Sequence, residues 1–313
     1  MSIRSPVASS SSTSIGTIHP LAIDHLPPKK PNTTRFVLLS DTHTHTFPVP
    51  DGDVLLHAGD LTERGSLKEL RVTLDWICSL PHKYKIIIAG NHDYCLDSET
   101  LKEQMPERYS LYTDSMQLIQ DYRESGLIYL EDQSVELPVS SSSSDSNGHG
   151  SDDTQSSRKT WKIFGSPWSA AFCSMAFNIP RGDPSRDLYS RIPDSTDILL
   201  THGPPYGMLD TIVHGRRSVG CDKLLERLQT GLPNLKLHIW GHIHESRGVI
   251  LDEQGKYGSK SLQSSSEGEQ TDGSGKRKAT IFVNAANAGT WERPKRLWGE
   301  GKFQPMVVDL NND

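Results

Sequence analysis

The apolar residues of this chain fall in short runs that stop abruptly at polar loops. Phe36-Val37-Leu38-Leu39 ends at Ser40-Asp41-Thr42-His43, Asp53 to Ala58 ends at Gly59-Asp60, and Tyr84 to Ala89 ends at Gly90-Asn91-His92-Asp93. Runs this short without polar alternation predict strands buried on both faces. Between the second and third, Leu67, Leu70, Leu74 and Ile77 recur at helical spacing, and Ser66 with Glu69 fits a capping box. Strand, helix and strand in that order predict parallel pairing through a right-handed crossover.

The second half repeats the device. Asp197 to Leu200 runs into Thr201-His202-Gly203-Pro204-Pro205, and Leu235 to Trp240 runs into Gly241-His242-Ile243-His244. Residues 219 to 231 predict a helix with Leu224, Leu225 and Leu228 on one face, and further strands are expected at 162–165, 249–251, 280–284 and 306–310. Five strand ends thus carry Asp, Asn or His, and in open α/β sheets ligands collect at the carboxyl ends of strands. The active site is expected there.

Composition locates what lies outside this pattern. Hydrophobic residues make up 34% of the 313, a modest share, and the shortfall lies in three biased stretches. Residues 1–34 are Ser/Pro-rich and predict a disordered tail, while 140–158 and 252–278 read as low-complexity insertions in a single domain spanning 35–310. What remains, roughly 230 residues, suits one α/β domain. A net charge of −6 disfavours a nucleic-acid polymer as partner, since that grip relies on clustered Lys and Arg. Four cysteines without paired spacing point to reduced thiols and a cytoplasmic setting. No apolar run is long enough to span a membrane.

The chemistry resides in the strand-end residues. Side chains two apart in extended backbone point the same way, so Asp41 with His43, and His242 with His244, can each aim two ligands into one cavity. With Asp60, Asn91 and His202 they offer two carboxylates, one amide oxygen and four imidazoles. That mixed set suits two divalent ions of manganese, iron, cobalt or zinc, with Asp60 as the bridge. Two dications would outweigh two aspartates and a hydroxide, so the site should draw an anionic phosphate, whose phosphorus a metal-activated hydroxide attacks in line. His92 is placed to protonate the leaving alkoxide, with Asp93 beside it as a further catalytic candidate, and Arg64 could reach the substrate phosphate.

One such histidine alone would more readily be a core or surface residue. Five motifs in one order, D-x-H, G-D, G-N-H-D, T-H-G and G-H-x-H, change that. Of 13 histidines five fit the pattern. His57 and His238 lie inside strands, where packing or hydrogen bonding is expected. His19, His25 and His149 fall in the biased stretches, and His45, His82 and His214 in loops, with His45 near enough to a ligand to act on substrate. Cys95 is expected to be an inert thiol.

These motifs, together with Gly165-Ser166-Pro167-Trp168, Phe177 to Gly182 and Thr201 to Pro205, resemble the calcineurin-like metallophosphoesterase superfamily. More narrowly, they resemble its metallophosphoesterase-domain-containing branch, related to class III cyclic-nucleotide phosphodiesterases. The resemblance implies a four-layer α/β/β/α sandwich with two mixed sheets. It also implies one ion on Asp41, His43, Asp60 and His244, and the other on Asp60, Asn91, His202 and His242, with His92 as the catalytic histidine. The implied activity is hydrolysis of cyclic nucleotides or other small phosphodiesters. Some relatives carry glycine where this chain has His242, which would weaken the second site, and many animal relatives carry Glu at the place of Asp93. A protein Ser/Thr phosphatase shares the first three motifs but fits G-H-x-H poorly. A nucleotide-binding scaffold without turnover fits a full ligand set less well.

Overall fold

In chain order, the strands of the two large sheets are β1 (Ser11–Ser12), β2 (Gly16–His19), β3 (Thr33–Leu39), β4 (Val54–Ala58), β5 (Tyr84–Ile88), β6 (Leu127–Tyr129), β7 (Gln133–Pro138), β8 (Thr160–Ser166), β9 (Ile198–Thr201), β10 (Leu237–Trp240), β11 (Gly248–Asp252), β12 (Thr280–Asn284) and β13 (Met306–Asn311). Helices α1 (Leu67–Ser79), α2 (Ser98–Gln104), α3 (Ser110–Asp121), α4 (Asp183–Ser190) and α5 (Asp222–Gly231) lie between them. The structure, a computed structural model, describes residues 10–19, 26–139, 160–212, 217–253, 257, 279–287 and 305–312. The insertion expected at 140–158 therefore lies outside the described residues, as does most of 252–278.

The first sheet runs β1-β2-β13-β3-β4-β5-β6 and the second β11-β12-β10-β9-β8-β7. Strands β3 to β6 are mutually parallel, as are β8, β9, β10 and β12, while β13, β7 and β11 pair antiparallel. Both sheets are mixed, as expected.

Strand β3 serves two layers at once. Phe36 and Leu38 join Leu56, Ile86 and Ile88 between the sheets, where Trp161, Ile163, Leu200 and Ile239 meet them from the other side. The intervening Val37 and Leu39 pack instead with Leu70, Leu74 and Ile77 of α1 and Leu118 of α3. On the far side, Phe164, Leu199, Trp240 and Phe282 carry Leu188 and Tyr189 of α4 and Leu224 and Leu228 of α5. Period-two alternation within apolar strands thus builds four layers, helix, sheet, sheet and helix. The capping box on α1 is present in both halves, Ser66 accepting from Glu69 and Glu69 from Ser66, and Pro81 follows where the helix stops.

The tail assigned to residues 1–34 needs correction. Residues 11–19 form a hairpin that extends the first sheet, β2 pairing antiparallel with β13. Ile18 is fully buried in the core between the sheets. His19 gives Nε2 to Asp309 at 3.2 Å, and Arg35 grips the same carboxylate through two 2.7 Å bonds. Serine-rich composition concealed a segment with one well-placed isoleucine and a charged anchor. Among the described residues no helix is long and apolar enough to cross a membrane.

Candidate metal centre

The loops after β3, β4, β5, β9 and β10 converge as expected. Four of the seven proposed ligands, Asp41, His43, Asp60 and His242, have left-handed backbone, with φ of 55°, 44°, 55° and 66°. Such conformations cost of order 1–3 kcal/mol each in non-glycine residues and concentrate at functional sites. Gly90 and Gly241 are required by contact: a Cβ on Gly90 would strike the Asp60 carboxylate and the His202 ring, and one on Gly241 would strike the Asp41 carboxylate and Ser40.

Asp60 connects two clusters. Its Oδ1 lies 3.4 Å from His202 Nε2 and its Oδ2 3.7 Å from His43 Nε2. On one side, Asp41 Oδ1 receives His244 Nε2 at 3.1 Å, and the His43 and His244 rings stand 5.7 Å apart. On the other, Asn91 Oδ1 meets His202 Nε2 at 2.8 Å, and the His202 and His242 rings are 5.1 Å apart. The backbone N–H of His242 donates to Asp41. Asp41, His43 and His244, and separately Asp41, Asp60 and His202, bring one donor atom each close enough to hold a metal ion.

The residues fit divalent ions for a reason beyond proximity. His43 Nδ1 bonds Thr62 O at 3.1 Å and His202 Nδ1 bonds Ala58 O at 2.9 Å. A carbonyl at Nδ1 fixes that nitrogen as the N–H, so Nε2 is the atom of each ring aimed into the cluster, the one a divalent ion would take in place of a proton. Protonation follows the same geometry. Burial pushes Asp41 upward, but the hydrogen bond and charge of His244 prevail and hold it at about 2. Burial opposes ionisation of Asp60 too, yet His202 holds it well below the usual carboxylate range. Burial lowers His202, but the Asp60 charge outweighs it and lifts the imidazole to about 9. His43 is lowered by burial, and burial takes His242 to about 3.

The remaining candidates separate. His92 joins the cluster: its ring stands edge-on to His43 at 4.7 Å, its backbone N–H donates to Asp60 at 2.9 Å, and Glu63 O fixes its Nδ1 at 2.8 Å. Asp93 does not meet the His92 ring. Its fully buried carboxylate accepts from the N–H groups of Leu61, Thr62 and Gly90 and from the Thr62 hydroxyl, tying the Asp60 loop to the Asn91 loop. Burial and neighbouring Asp60 push it up to about 6. Arg64 is exposed at the loop surface. His45 is exposed and folds back on the carbonyls of Thr42 and His43.

His57 and His238 are buried and bonded, as expected inside strands. The Nε2 of each lies 2.9 Å from the hydroxyl of a threonine beside a proposed ligand, Thr42 and Thr201 respectively. His25, His149 and His214 lie outside the described residues. Cys95 is buried and its thiol is pushed up by burial. Two contributors carried no sequence signal. Met175 Sδ accepts from Asn91 Nδ2 at 3.2 Å across 84 residues of chain. Arg247 is fixed by Ala285 O, Ala286 O and Asn287 close enough to feel the Asp41 charge, and burial brings it down to about 10.

Comparison with known proteins agrees with this geometry. The family model described as calcineurin-like phosphoesterase matches residues 34–246. The human and mouse proteins named metallophosphoesterase domain-containing protein 1 are each 37% identical over 238 residues, 74% of this chain and 66% of theirs. A UPF0046 protein of Caenorhabditis elegans is 33% identical over 245 residues, 74% of this chain and 56% of its own. The chain thus spans just under two thirds of the human and mouse relatives and less of the worm protein. The family match covers more than half of the chain, from β3 through the G-H-x-H loop, and on that extent this protein belongs to the calcineurin-like phosphoesterase family.

Proposed function

We propose that this protein is a dinuclear metal-dependent phosphodiesterase acting on cyclic nucleotides or other small phosphodiesters. The observation that carries the reading is Asp60, a buried carboxylate standing between two ligand clusters with His43 beside one oxygen and His202 beside the other, where one side chain could serve both ions. Asp41, His43, Asp60 and His244 would hold one ion, and Asp60, Asn91, His202 and His242 the other. When bound, the ions supply Lewis acidity toward phosphoryl oxygens and lower the pKa of water.

The chain's own residues contribute orientation and a proton. The Nδ1 of His92 is occupied by Glu63 O, so Nε2 is the atom that hands a proton to the leaving alkoxide. The His92 N–H bond to Asp60 sets the distance from that imidazole to the metal cluster. Asp93 acts as a positioning residue through the two loops it joins. Arg64, on the exposed turn after Asp60, is free to meet a substrate phosphate.

The test is hydrolysis of bis-p-nitrophenyl phosphate, p-nitrophenyl phosphate and cyclic nucleotides by the manganese-loaded protein beside Asp60→Ala and His242→Ala. Diester turnover abolished in the first variant and reduced in the second is the expected result. A correctly folded, metal-loaded protein that turns over none of the three would overturn the assignment.

A further inference from the structure

Met175 stands on a loop whose main chain is held at several points. The Asn178 side chain closes the loop, its oxygen accepting the N–H groups of Phe172 and Met175 at 3.0 and 3.3 Å and its amide donating to Ser169 Oγ and Ala176 O. Phe177 N–H donates to Asp97 at 2.7 Å, and Ala176 and Phe177 are buried in the core cluster that includes α1. Cys173, Ser174 and Phe177 have left-handed backbone, with φ of 55°, 49° and 48°, which persists in non-glycine residues only where the surroundings over-determine it.

The sulfur on this fixed loop has two neighbours. Met175 Sδ accepts from Asn91 Nδ2 at 3.2 Å, while the oxygen of the same amide faces His202. On its other side the residue is half-buried and lines a cavity of about 420 Å³ that reaches solvent, far more room than a water-sized molecule needs. The other described methionines stand elsewhere. Met208 and Met306 are buried in the core. Met105 and Met116 are half-buried like Met175, but the first accepts from Arg108 and the second packs against the α1 core.

Resting on the reading of Asn91 as a metal ligand, we propose that Met175 is an oxidation site, where peroxide displaces the Asn91 amide and so weakens metal binding. The sulfur lone pair attacks one peroxide oxygen, and the S–O bond forms as the O–O bond breaks. The departing hydroxide takes the proton of the transferred oxygen and leaves as water. The thioether is oxidised to the sulfoxide by two electrons and the peroxide is reduced by two. Either sulfur lone pair gives the same consequence. Oxygen added toward Asn91 pushes the amide away, because the pinned loop cannot retreat. Oxygen added toward the cavity leaves a sulfur with partial positive charge against the amide N–H, where an acceptor had been. Methionine sulfoxide is reversible by its reductases, so the site can be reset.

The test treats the metal-free full chain with hydrogen peroxide, in a Cys173→Ser background that removes the exposed thiol. Expected is a gain of one oxygen on the peptide carrying Met175, with a fall of about tenfold in manganese affinity by chelator competition. That fall should track the Met175 peptide and not those of Met105 and Met116. Methionine sulfoxide reductase restores the affinity, and Met175→Leu, whatever its starting affinity, shows no response to peroxide. An affinity unaltered at full oxidation of Met175, or lost equally in Met175→Leu, overturns the proposal, as does a Met175 that stays reduced while Met105 and Met116 oxidise. If the untreated protein binds no manganese, the metal reading fails separately, and the side-chain amide signal of Asn91 in heteronuclear NMR still decides on the oxidation site. There, the signal must shift when Met175 is oxidised, and a fixed signal sinks the proposal.

Discussion

Asp93 and Thr62 are joined twice, the carboxylate accepting the Thr62 N–H at 2.8 Å and its hydroxyl at 2.7 Å. With Leu61 N–H at 3.1 Å and Gly90 N–H at 2.8 Å completing the set, this buried carboxylate fixes the loop bearing Asp60 to the loop bearing Asn91. Removing it strands several donors, each worth about 1 kcal/mol or more when left unpaired. Asp93→Ala is expected to lose about 3 kcal/mol in urea unfolding and to bind manganese more weakly, because both loops carry ligands. A variant within about 0.5 kcal/mol of the parent with unchanged manganese affinity would show that the loops hold without the tether.

The Asn91 amide is stretched between His202 on its oxygen and Met175 on its nitrogen. Ligand orientation through such outer partners typically matters by 10- to 100-fold in metal affinity. Met175→Leu keeps the volume but removes the acceptor, so manganese affinity should fall by about tenfold while the thermal midpoint of the metal-free protein moves little. Chelator competition measures the first and scanning calorimetry the second. Unaltered affinity would mean that the amide is aligned without the sulfur.

Acid should destabilise the metal-free protein through every histidine that burial holds neutral, among them His57, His238 and also His82, lowered to about 4. Burial takes both His57 and His238 to about 3, below the ordinary histidine value of about 6.5. Between those values the unfolded chain binds protons that the folded chain refuses. Stability is therefore complete above about pH 6.5 and drains away as pH falls. At pH 5 the pair together should cost on the order of 4 kcal/mol relative to pH 7.5. His238→Gln keeps a donor for Thr201 and cannot titrate, so it should reduce the pH dependence by the share of one such histidine, about 2 kcal/mol. Urea unfolding in EDTA at the two pH values reads it out, and identical slopes for parent and variant would count against the assignment.

The strand-end candidates were legible because a buried parallel strand is an apolar run, and its polar terminus stands out. For the same reason the two faces of each strand were not. Val37 and Leu38 are equally apolar, yet one packs under α1 and the other between the sheets. Asp93 reads as a neighbour of His92, but adjacency along a tight loop does not make side chains meet, and its partners come from the loop after β4. Met175 was invisible because a single thioether 84 residues from Asn91 has no spacing to betray it. Helices α2 and α3 went unread for want of a clear apolar stripe, α3 burying only Ser115, Leu118 and Ile119.

Ile18 gives the sharpest distinction between a tail and a strand. In a tail its side chain would be in water and its truncation without consequence. Here it is fully buried among Phe36, Val308 and Leu310 in the core cluster, and β2 is held in register by ladder bonds to β13 and by His19 on Asp309. Ile18→Ala removes buried methyl groups and leaves a cavity between the sheets, a change that costs about 2–5 kcal/mol in packed cores. The cost should fall toward the lower end, because an edge hairpin can shift inward to close part of the gap. Asp309→Asn should add to it by weakening the grip of Arg35 and His19 on that carboxylate. Urea unfolding of each variant and of the pair measures both effects, and an Ile18→Ala protein as stable as the parent would return residues 11–19 to the tail.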